Sequence, residues 1–365
     1  MSLTLEVNGL SYGQWTDIKV NRSLDNFPAQ FSFTAAFNIA ENKSFPIKEG
    51  DKCTVFADGK QIINGFVEVI EGEYSMGSHS INIRGRSRTC DLVDSTVAAD
   101  INITMPASLK SVINQILQKS GFTDIAVNII SEVQPKDFTT ADKVVASVGD
   151  SVISVIDKYC RKRQLYITDD FNGDLVLFSG STGKFKAQLQ TAGNDLDNIK
   201  SARVRRDSSK RFNKYTVHSQ QNLTTVDPFS DVSPNDTVGG LDSSAMDIDV
   251  RAQRRLNIIA ESPSNSDECK QRANWQANIN RARAFSYSAT VEGHETGYGE
   301  TYDTNYLVGV LDIVHDVRTD LLINSIDYSF DLQNGSVTDI GMVPRDAYTS
   351  EPSQPADQKS EVFTL

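Results

Sequence analysis

Three arginines and two aspartates lie close together between residues 84 and 94. Residues 81–97 read INIRGRSRTCDLVDSTV, so Arg84, Arg86 and Arg88 recur at every second position and Asp91 and Asp94 follow. Arginines at alternate positions of a strand share one face and can hold a phosphate through paired N–H groups. The same side chains can instead pair with carboxylates where one domain meets the next. The motif therefore indicates either an anion site or a structural seam.

A second basic group follows further along the chain and comprises Arg203, Arg205, Arg206, Lys210 and Arg211. The surrounding sequence is strand-like, and outward-facing charges are ordinary on a strand. Arginine is also a frequent partner of carboxylates at protein interfaces. We therefore interpret Arg203, Arg205 and Arg206, together with Trp275, as a protein interface, with a phosphate site as the alternative.

The remaining chemical motifs are incomplete. TDDFNG at residues 168–173 resembles the start of a calcium loop, but Thr168 would be the first ligand and Ser179 the twelfth, where calcium loops carry carboxylates. His294-Glu295 has no second histidine at zinc-protease spacing. The four cysteines have no CxxC pair, which argues against a disulfide framework or a zinc knuckle. No catalytic residue, metal ligand or cofactor is therefore assigned, although triads and carboxylate pairs formed by residues distant in sequence stay open.

The composition is that of an acidic folded protein. Of 365 residues, 39% are hydrophobic and 23% are charged, and the net charge is −12. A free-standing nucleic-acid binder usually has the opposite sign, because cations on the protein meet the phosphates. No apolar run approaches the roughly 20 residues of a membrane span, and the N-terminus lacks a signal-peptide pattern. We therefore expect a protein made and kept in the cytosol unless lysis or other machinery releases it.

The elements that position these motifs begin with strands. Up to about residue 95 the chain reads as strand after strand, as in QFSFTAAFN, where Phe31 and Phe33 alternate with polar residues. Asp58-Gly59 separates two such runs and favours a tight hairpin turn, since both positions of that turn need positive φ angles. This density of strands predicts a compact antiparallel barrel or sandwich.

Residues 96–185 change to helical spacing and predict a small α+β domain. Apolar residues at Leu109, Val112, Ile113, Ile116 and Leu117 form one stripe of a helix. A second helix is predicted around Val152–Tyr159, and a hairpin is predicted to turn at Asn172-Gly173.

The rest of the chain predicts strands interrupted by loops and one helix. Strands are expected over 186–221 and again from Tyr287 to about Arg345. Residues 222–267 are rich in Pro, Gly, Ser, Asp and Asn and predict long loops around a short apolar run. A helix is expected from Ser266 to about residue 284, and the last residues read as a mobile tail.

Two segments have the same order of features. Ile62-Ile63-Asn64 opens a strand that crosses a turn at Gly77, and Leu322-Ile323-Asn324 opens a strand that crosses a turn at Gly335. A duplicated barrel is one interpretation, and chance similarity between β sequences is the other.

Several segments together resemble one known family. GRS followed by DLVD at residues 85–94 resembles the signature that ends the first barrel of Mu-like phage tail proteins, the baseplate hub or 43 kDa tail protein family of the gene product P type, which is related to the spike hubs of contractile injection machines. Other segments also resemble this family, and they occur in the order expected for it. WTDIKV lies before the GRS and DLVD segments; after them come GDSVISVIDKYCRKRQLYITDDFNGDLVLF, LNIIAE, YLVGVLDIVHD with LLINSIDYSF, and MVPRDAY. The resemblance extends to about residue 348.

The resemblance implies an α+β, mainly β fold with two similar antiparallel β-barrel tube-forming domains. On this sequence they are residues 1–95 and the discontinuous pair 186–221 and 285–348. A small α+β domain at 96–185, an inserted helix-containing domain at 222–284 and a flexible tail at 349–365 complete the expectation. Under this interpretation the opening motif is a seam: Arg84, Gly85 and Arg86 end the first barrel, and Asp91, Leu92 and Asp94 begin the next domain.

The implied function is structural. Three copies would form a ring, a homotrimer, that joins the tail tube or its adaptor to the spike and leaves a channel through which DNA passes without specific binding. We expect no enzyme activity, and a location in the virion baseplate after assembly in the cytoplasm of the bacterial host. The hub of a bacterial secretion spike and a tail-associated cell-wall hydrolase are the alternatives.

Overall fold

The computed structural model describes residues 2–36, 46–75, 78–97, 103–131, 134–140, 146, 149–219, 242–259 and 266–349. The fold is mainly β with mostly antiparallel pairing, as the sequence predicts. Most of the loop residues expected between 222 and 267, and nearly all of the expected tail, lie outside the described residues.

The first half of the chain contains strands β1 Leu3–Val7, β2 Leu10–Tyr12, β3 Asp17–Ser23, β4 Gln30–Ala36, β5 Lys52–Ala57, β6 Lys60–Ser75, β7 Ser78–Ser87, β8 Val127–Ser131, β9 Tyr166–Asp169 and β10 Leu175–Ser179, with helices α1 Cys90–Asp94, α2 Leu109–Lys119 and α3 Val152–Lys162. The second half contains β11 Gly183–Thr191, β12 Ile199–Arg206, β13 Lys214–His218, β14 Asp242–Met246, β15 Arg255–Ile259, β16 Phe285–Glu292, β17 Tyr306–Asp312, β18 Val317–Asp331 and β19 Gly335–Pro344, with helix α4 Ser266–Ala282.

Thirteen strands form one large sheet in which a strand order occurs twice. The neighbours β3-β4-β7-β6-β5-β1 are repeated, position by position, by β12-β16-β19-β18-β17-β11. We call these sets the first and second six-strand modules. One pairing differs in direction, since β1 is antiparallel to β5 and β11 is parallel to β17. The repeat in strand order extends well beyond the short sequence match around Asn64 and Asn324.

The two modules join through backbone pairing. Residues Ser325–Asp331 of β18 pair antiparallel with Ser23–Asp17 of β3. The strand path in the described residues therefore runs open from β12 to β2 and does not close into a barrel. The expected closed barrels are absent from this part of the chain because β3 pairs with the other module and not with a strand that would close its own.

The α+β block between the modules follows the predicted pattern. All five residues of the predicted apolar stripe on α2 are buried, and α2 begins after Ser108, whose hydroxyl accepts from the amide of Ser111 at 3.3 Å. Helix α3 begins in the same way after Ser151. The predicted hairpin is formed by β9 and β10, and β8 pairs parallel with β10. This sheet and the two helices enclose one apolar core.

The chain separates into two compact units, the first comprising Met1–Val204 and Tyr287–Val343. The second contains a three-stranded sheet in the order β14-β13-β15, against which α4 packs through Cys269, Ala273 and Ala277. Strand β13 thus belongs to this small sheet, whereas the expected boundary near residue 221 assigns it to the second barrel. Its alternating sequence resembles that of β12, so the sequence carries no signal for the change of sheet.

The hairpin of β6 and β7 requires a glycine at residue 85. A Cβ atom there would lie 2.1 Å from the carbonyl oxygen of Phe66 and 2.5 Å from the ring of Phe31. Gly72 on the same hairpin has no atom within 4 Å of an added Cβ.

Gly85→Ala is expected to lower the free energy of unfolding by about 1–3 kcal/mol, because the added methyl overpacks the sheet. Gly72→Ala is the matched control and should change it by less than about 1 kcal/mol. Chemical denaturation followed by circular dichroism measures both. Equal losses in the two variants would contradict the crowding at Gly85.

Candidate functional site

The arginines of the opening motif are paired with carboxylates. Arg86 on β7 donates to both carboxylate oxygens of Glu68, at 2.6 and 2.5 Å, and to Asp94 at 2.5 Å. The hydrogen bond to Glu68, with that to Asp94, raises the pKa of Arg86 above its ordinary value. Arg84 is exposed and pairs with Glu71. These guanidinium groups are therefore already neutralised by the chain's own acids, which differs from an open phosphate site.

Arg88 connects β7 to the β9–β10 hairpin. Its Nε donates to the carbonyl of Gly173 at 3.1 Å, and its terminal nitrogen pairs with Asp174. In the same turn Asp170 accepts from the amides of Asn172 and Asp174 at 2.8 and 2.9 Å. The segment that resembles a calcium loop is thus a turn whose acids are occupied by backbone amides and an arginine.

The other residues of the motif have separate roles. Leu92 is fully buried in the apolar core of the α+β block. Gly85 is buried where β7 crosses Phe66 and Phe31. Asp91 is exposed in the first turn of α1 and forms no ion pair within the described ranges. Only Asp94 of the two predicted aspartates therefore contacts the arginines of β7.

A buried arginine that the sequence analysis missed lies at the centre of this region. Arg22 on β3 is 2% exposed, and its three nitrogens donate to Ile62 O at 3.1 Å, Asp169 O at 2.7 Å and Asp303 Oδ1 at 3.3 Å. One guanidinium thus connects both six-strand modules and the α+β block. The available signal was the alternation of Ile18, Val20 and Arg22, which places the arginine on the buried face of β3.

Charge compensation explains how Arg22 tolerates burial. Burial alone would lower the pKa of Arg22, but the charges of Asp303 and Asp169 outweigh that effect and raise it. The ring of Phe171 lies 4.7 Å from the guanidinium carbon. The Asp169 carboxylate also accepts from the hydroxyl of Thr89 at 3.2 Å. A charge this enclosed depends on all of its partners, since loss of one leaves the others buried and unpaired.

His294 is another buried polar residue of the first unit, and its imidazole is almost fully enclosed. The hydroxyl of Thr338 donates to Gly293 O at 2.6 Å, so its oxygen accepts from His294 Nδ1 at 3.0 Å. This fixes the neutral tautomer with its proton on Nδ1. His294 Nε2 has no hydrogen-bond partner among the described residues, and burial lowers the pKa of the imidazole to about 4. The environment therefore suits a packed neutral ring.

A polar cleft of about 750 Å³ contains the carboxylates of Asp58, Asp197, Glu292 and Glu295. Glu292 and Glu295 pair with lysine ammonium groups at 3.5 and 2.9 Å. Asp58 and Asp197 accept hydrogen bonds from backbone amides. Glycoside hydrolysis needs two carboxylates that act as acid and base or nucleophile on one bond. The carboxylates of this cleft are engaged in structural contacts instead.

Three of the five residues of the second predicted basic group lie on the strand that ends the large sheet in the described ranges, whereas Lys210 follows in a short turn and Arg211 pairs with Asp247 at 2.9 Å. Arg203, Arg205 and Arg206 belong to β12 and are exposed. Arg205 pairs with Asp207 at 2.6 Å, and Arg206 lies 5.9 Å from the ring of Phe285. Arg203 forms no ion pair within the part of the chain that the structure describes. This strand thus presents basic side chains along an edge of the sheet.

Trp275 lies in the second unit, on α4. It is half-buried, and the guanidinium carbon of Arg272 lies 4.4 Å from its ring. Helix α4 is thus a different element from the strand that carries Arg203, Arg205 and Arg206.

The described ranges hold neither a metal-binding cluster nor a membrane-spanning helix. They contain no cluster of three or more His, Cys, Asp or Glu side chains arranged to hold a metal ion. They also contain no helix that is both long enough and apolar enough to cross a membrane.

Comparison with known families defines the class of protein. Three domain families match: "Mu phage baseplate assembly protein GpP-like, N-terminal" at residues 2–87, "Baseplate hub protein gp44-like, second domain" at 89–179, and "Mu phage baseplate assembly protein GpP, fourth domain" at 265–351. The protein is thus a phage tail baseplate component. The chain belongs to the Mu-like baseplate hub family, which confirms the resemblance found in the sequence.

Individual relatives agree along almost the whole chain. Baseplate hub protein gp44 of Escherichia phage Mu is 21% identical over 353 residues, covering 95% of this chain and 89% of that protein. The 43 kDa tail protein of prophage MuSo2 from Shewanella oneidensis has a solved structure with a TM-score of 0.78 at 25% identity, covering 94% of this chain and 98% of that one. The first relative is named as a baseplate hub protein and the second as a tail protein.

The fold extends to secretion machinery. An E. coli component of the type VI secretion system has a TM-score of 0.56 at 9% identity, covering 96% of this chain and 79% of that one. At this identity the likeness concerns the fold alone.

Arg22→Ala is expected to lower the free energy of unfolding by about 3–5 kcal/mol, because it leaves buried carboxylates without their cation. Arg84→Ala removes an exposed pair and should lower it by about 0–1 kcal/mol. Denaturant titration of both variants beside the parent chain measures the difference. Similar losses for the two would show that Arg22 is not the buried link described above.

His294 is expected to make stability depend on pH. Histidine titrates near 6.5 when unfolded, so between about pH 6.5 and 4 the unfolded chain binds a proton that the folded chain does not. The contribution of His294 is therefore complete above this window and lost as the pH falls through it, by about 3 kcal/mol in total. His294→Gln should remove this component, and His79→Gln should retain it. Unfolding free energies at several pH values provide the measurement, and an unchanged slope in His294→Gln would refute the assignment.

Proposed function

We propose that the chain is a structural hub of a contractile Mu-like tail and that three copies form a ring between the tail tube and the central spike. The observation that supports this most is the repeated six-strand order within one chain. Three chains would provide six similar modules. A ring of six modules and three chains can meet a sixfold tube on one side and a threefold spike on the other.

The proposed domains follow the expected boundaries except at β13, which the expected range 186–221 includes in the second tube-forming domain. The first tube-forming domain is residues 1–95, the α+β domain is 96–185, and the second tube-forming domain begins at 186 and resumes at 285–348. The matched family ranges that meet at residue 88 support a boundary near the arginines of β7. We assign β13 to the inserted domain on the basis of its pairing with β14 and β15.

The partners follow from the ring. The tail tube or an adaptor would lie above it, the spike below it, and DNA would pass through the centre. The net charge of −12 supports passage without retention, because acidic side chains repel phosphate. We propose no catalytic role: the relatives are named as tail or hub proteins, and the acids of the polar cleft are already paired.

Participation in a secretion spike is the second candidate, because the fold also occurs in a type VI secretion component. The agreement with phage Mu gp44 over 95% of the chain favours the tail. The genes beside this one distinguish the two, since tube and tape-measure genes belong to a tail and effector genes to a secretion machine.

The purified chain is expected to sediment with three times the mass of one chain, and class averages in the electron microscope should show a threefold ring with a central opening. Closed cyclic symmetry lets one pair of surfaces be buried three times without growth into a filament. A chain that remains monomeric at the highest attainable concentration, or forms only twofold dimers, would contradict the proposal.

A further inference from the structure

We propose that the open face of the small β14-β13-β15 sheet is a docking surface for an acidic protein of the tail other than this chain. The partner would place two adjacent carboxylates on Lys214 and Arg255, and an apolar side chain on Met246. This inference goes beyond the proposed ring, whose modules belong to the other unit. It rests on the proposed function only in taking the partner from the tail.

The small sheet has one face that α4 covers. Side chains along a strand alternate between the two faces of a sheet. Tyr215 and Val217 of β13 and Ala245 of β14 are buried on the side of α4, and Leu256 and Ile258 of β15 pack against the same core. The residues between them therefore point away from the helix. They include Lys214 and Thr216 on β13, Met246 on β14, and Arg255 and Ile259 on β15.

The opposite face of the small sheet is accessible. The exposed fractions of Met246 and Ile259 are 62% and 67%, and Arg255 is also exposed. Lys214 and Thr216 lie on the central strand and are still only half-buried. The middle of a sheet becomes fully buried when another element packs on it, as α4 does over Tyr215. In the described part of the chain, no such element packs on this face.

Two bases and a methionine form one row across the open face. Lys214 is in register with Met246 on one side and with Arg255 on the other. Neighbouring strands lie about 5 Å apart, so the three side chains are neighbours. The row therefore presents an ammonium and a guanidinium group beside an apolar thioether.

The two bases of this row have no counter-charge within the described ranges. Lys214 and Arg255 form no ion pair there, and neither does Arg251, which is exposed between β14 and β15. Like charges directly opposite each other on neighbouring strands destabilise a sheet. Carboxylates of a partner would remove this repulsion, so the row is more stable with an acidic surface on it than without one.

The bases near α4 in the same unit are paired, in contrast to those of the open face. Arg211 donates to both carboxylate oxygens of the buried Asp247 at 2.9 Å. Arg281 of α4 lies 3.4 Å from the same carboxylate. The unit thus neutralises its inner cations with its own acid and leaves Lys214 and Arg255 to a partner.

Charge and apolar exposure together favour an acidic protein as the occupant. Lys and Arg outnumber Asp and Glu by 12 to 10 in residues 205–286, whereas the whole chain has 36 against 48, so this segment is the basic part of an acidic chain. Nucleic acid is less suitable, because its affinity comes from many phosphate contacts and the row has two bases. Phosphates would also leave Met246 and Ile259 uncovered. Methionine and arginine are both enriched at protein interfaces.

The test is carbodiimide cross-linking of tail particles that contain this chain, and it needs no substitution. The reagent joins a lysine amine to a carboxylate in contact with it, and the water lost in forming the amide converts the carbodiimide to a urea. We expect peptide mass spectrometry to find Lys214 joined to an Asp or Glu of another tail protein. Acetylation of Lys214 by an N-hydroxysuccinimide ester should be at least tenfold slower in particles than in the purified chain, whereas Lys270, exposed on α4, should react equally in both.

Other results of these measurements would overturn the inference. A cross-link from Lys214 to a second copy of the chain would show that the face belongs to the ring. Protection of Lys214 that a nuclease removes would identify nucleic acid as the occupant. The absence of a cross-link, or equal protection of Lys214 and Lys270, would refute a carboxylate contact on this face. None of these results bears on the trimer, which sedimentation of the purified chain decides separately.

A pair of charge-reversal variants provides an independent test. Lys214→Glu with Arg255→Glu should lower the amount of the chain in tail particles at least tenfold, because the partner's carboxylates would meet like charges. Lys210→Glu with Lys270→Glu makes the same change in charge at two exposed lysines off this face and should leave incorporation unchanged. Circular dichroism checks that both variants fold. Equal incorporation of the two variants would refute the docking surface.

Discussion

Backbone pairing along two long strands organises the large sheet. A buried N–H or C=O group without a partner is costly, so a strand longer than its neighbours must find partners elsewhere or leave its edge in water. Strand β18, with 15 residues, extends beyond β17, and β3 of the first module occupies the remaining length. Two modules that each have a complete strand order thereby share one sheet. The continuous path from β12 to β2, from which β17 and β11 branch at β18, is a consequence of this shared pairing.

Arg22 makes that junction specific. The buried faces of β3 and β18 already specify their register, and a guanidinium with three fixed acceptors restricts it further. A buried ion pair adds little net stability, because desolvation offsets the attraction, but misplacing it is costly. Since the acceptors of Arg22 come from β6, the end of β9 and the segment before β17, only one arrangement of these elements satisfies it. The exposed pair of Arg84 and Glu71 has no comparable effect.

Local features of the fold could be predicted from the sequence, and long-range ones could not. The stripe on α2, the turn at Asp58-Gly59 and the β9–β10 hairpin depend on residues close in sequence, and each forms as predicted. Arg22 was missed because its acceptors lie 40 to 281 residues away along the chain. The expected closed barrels and the expected place of β13 in the second barrel differ from the structure for the same reason. Alternation of apolar and polar residues predicts that a segment is a strand, but it does not predict which strand pairs with it. The pairing of Arg86 with Asp94 could be predicted because the two residues are close in sequence. Its pairing with Glu68, which is more distant in sequence, was not predicted.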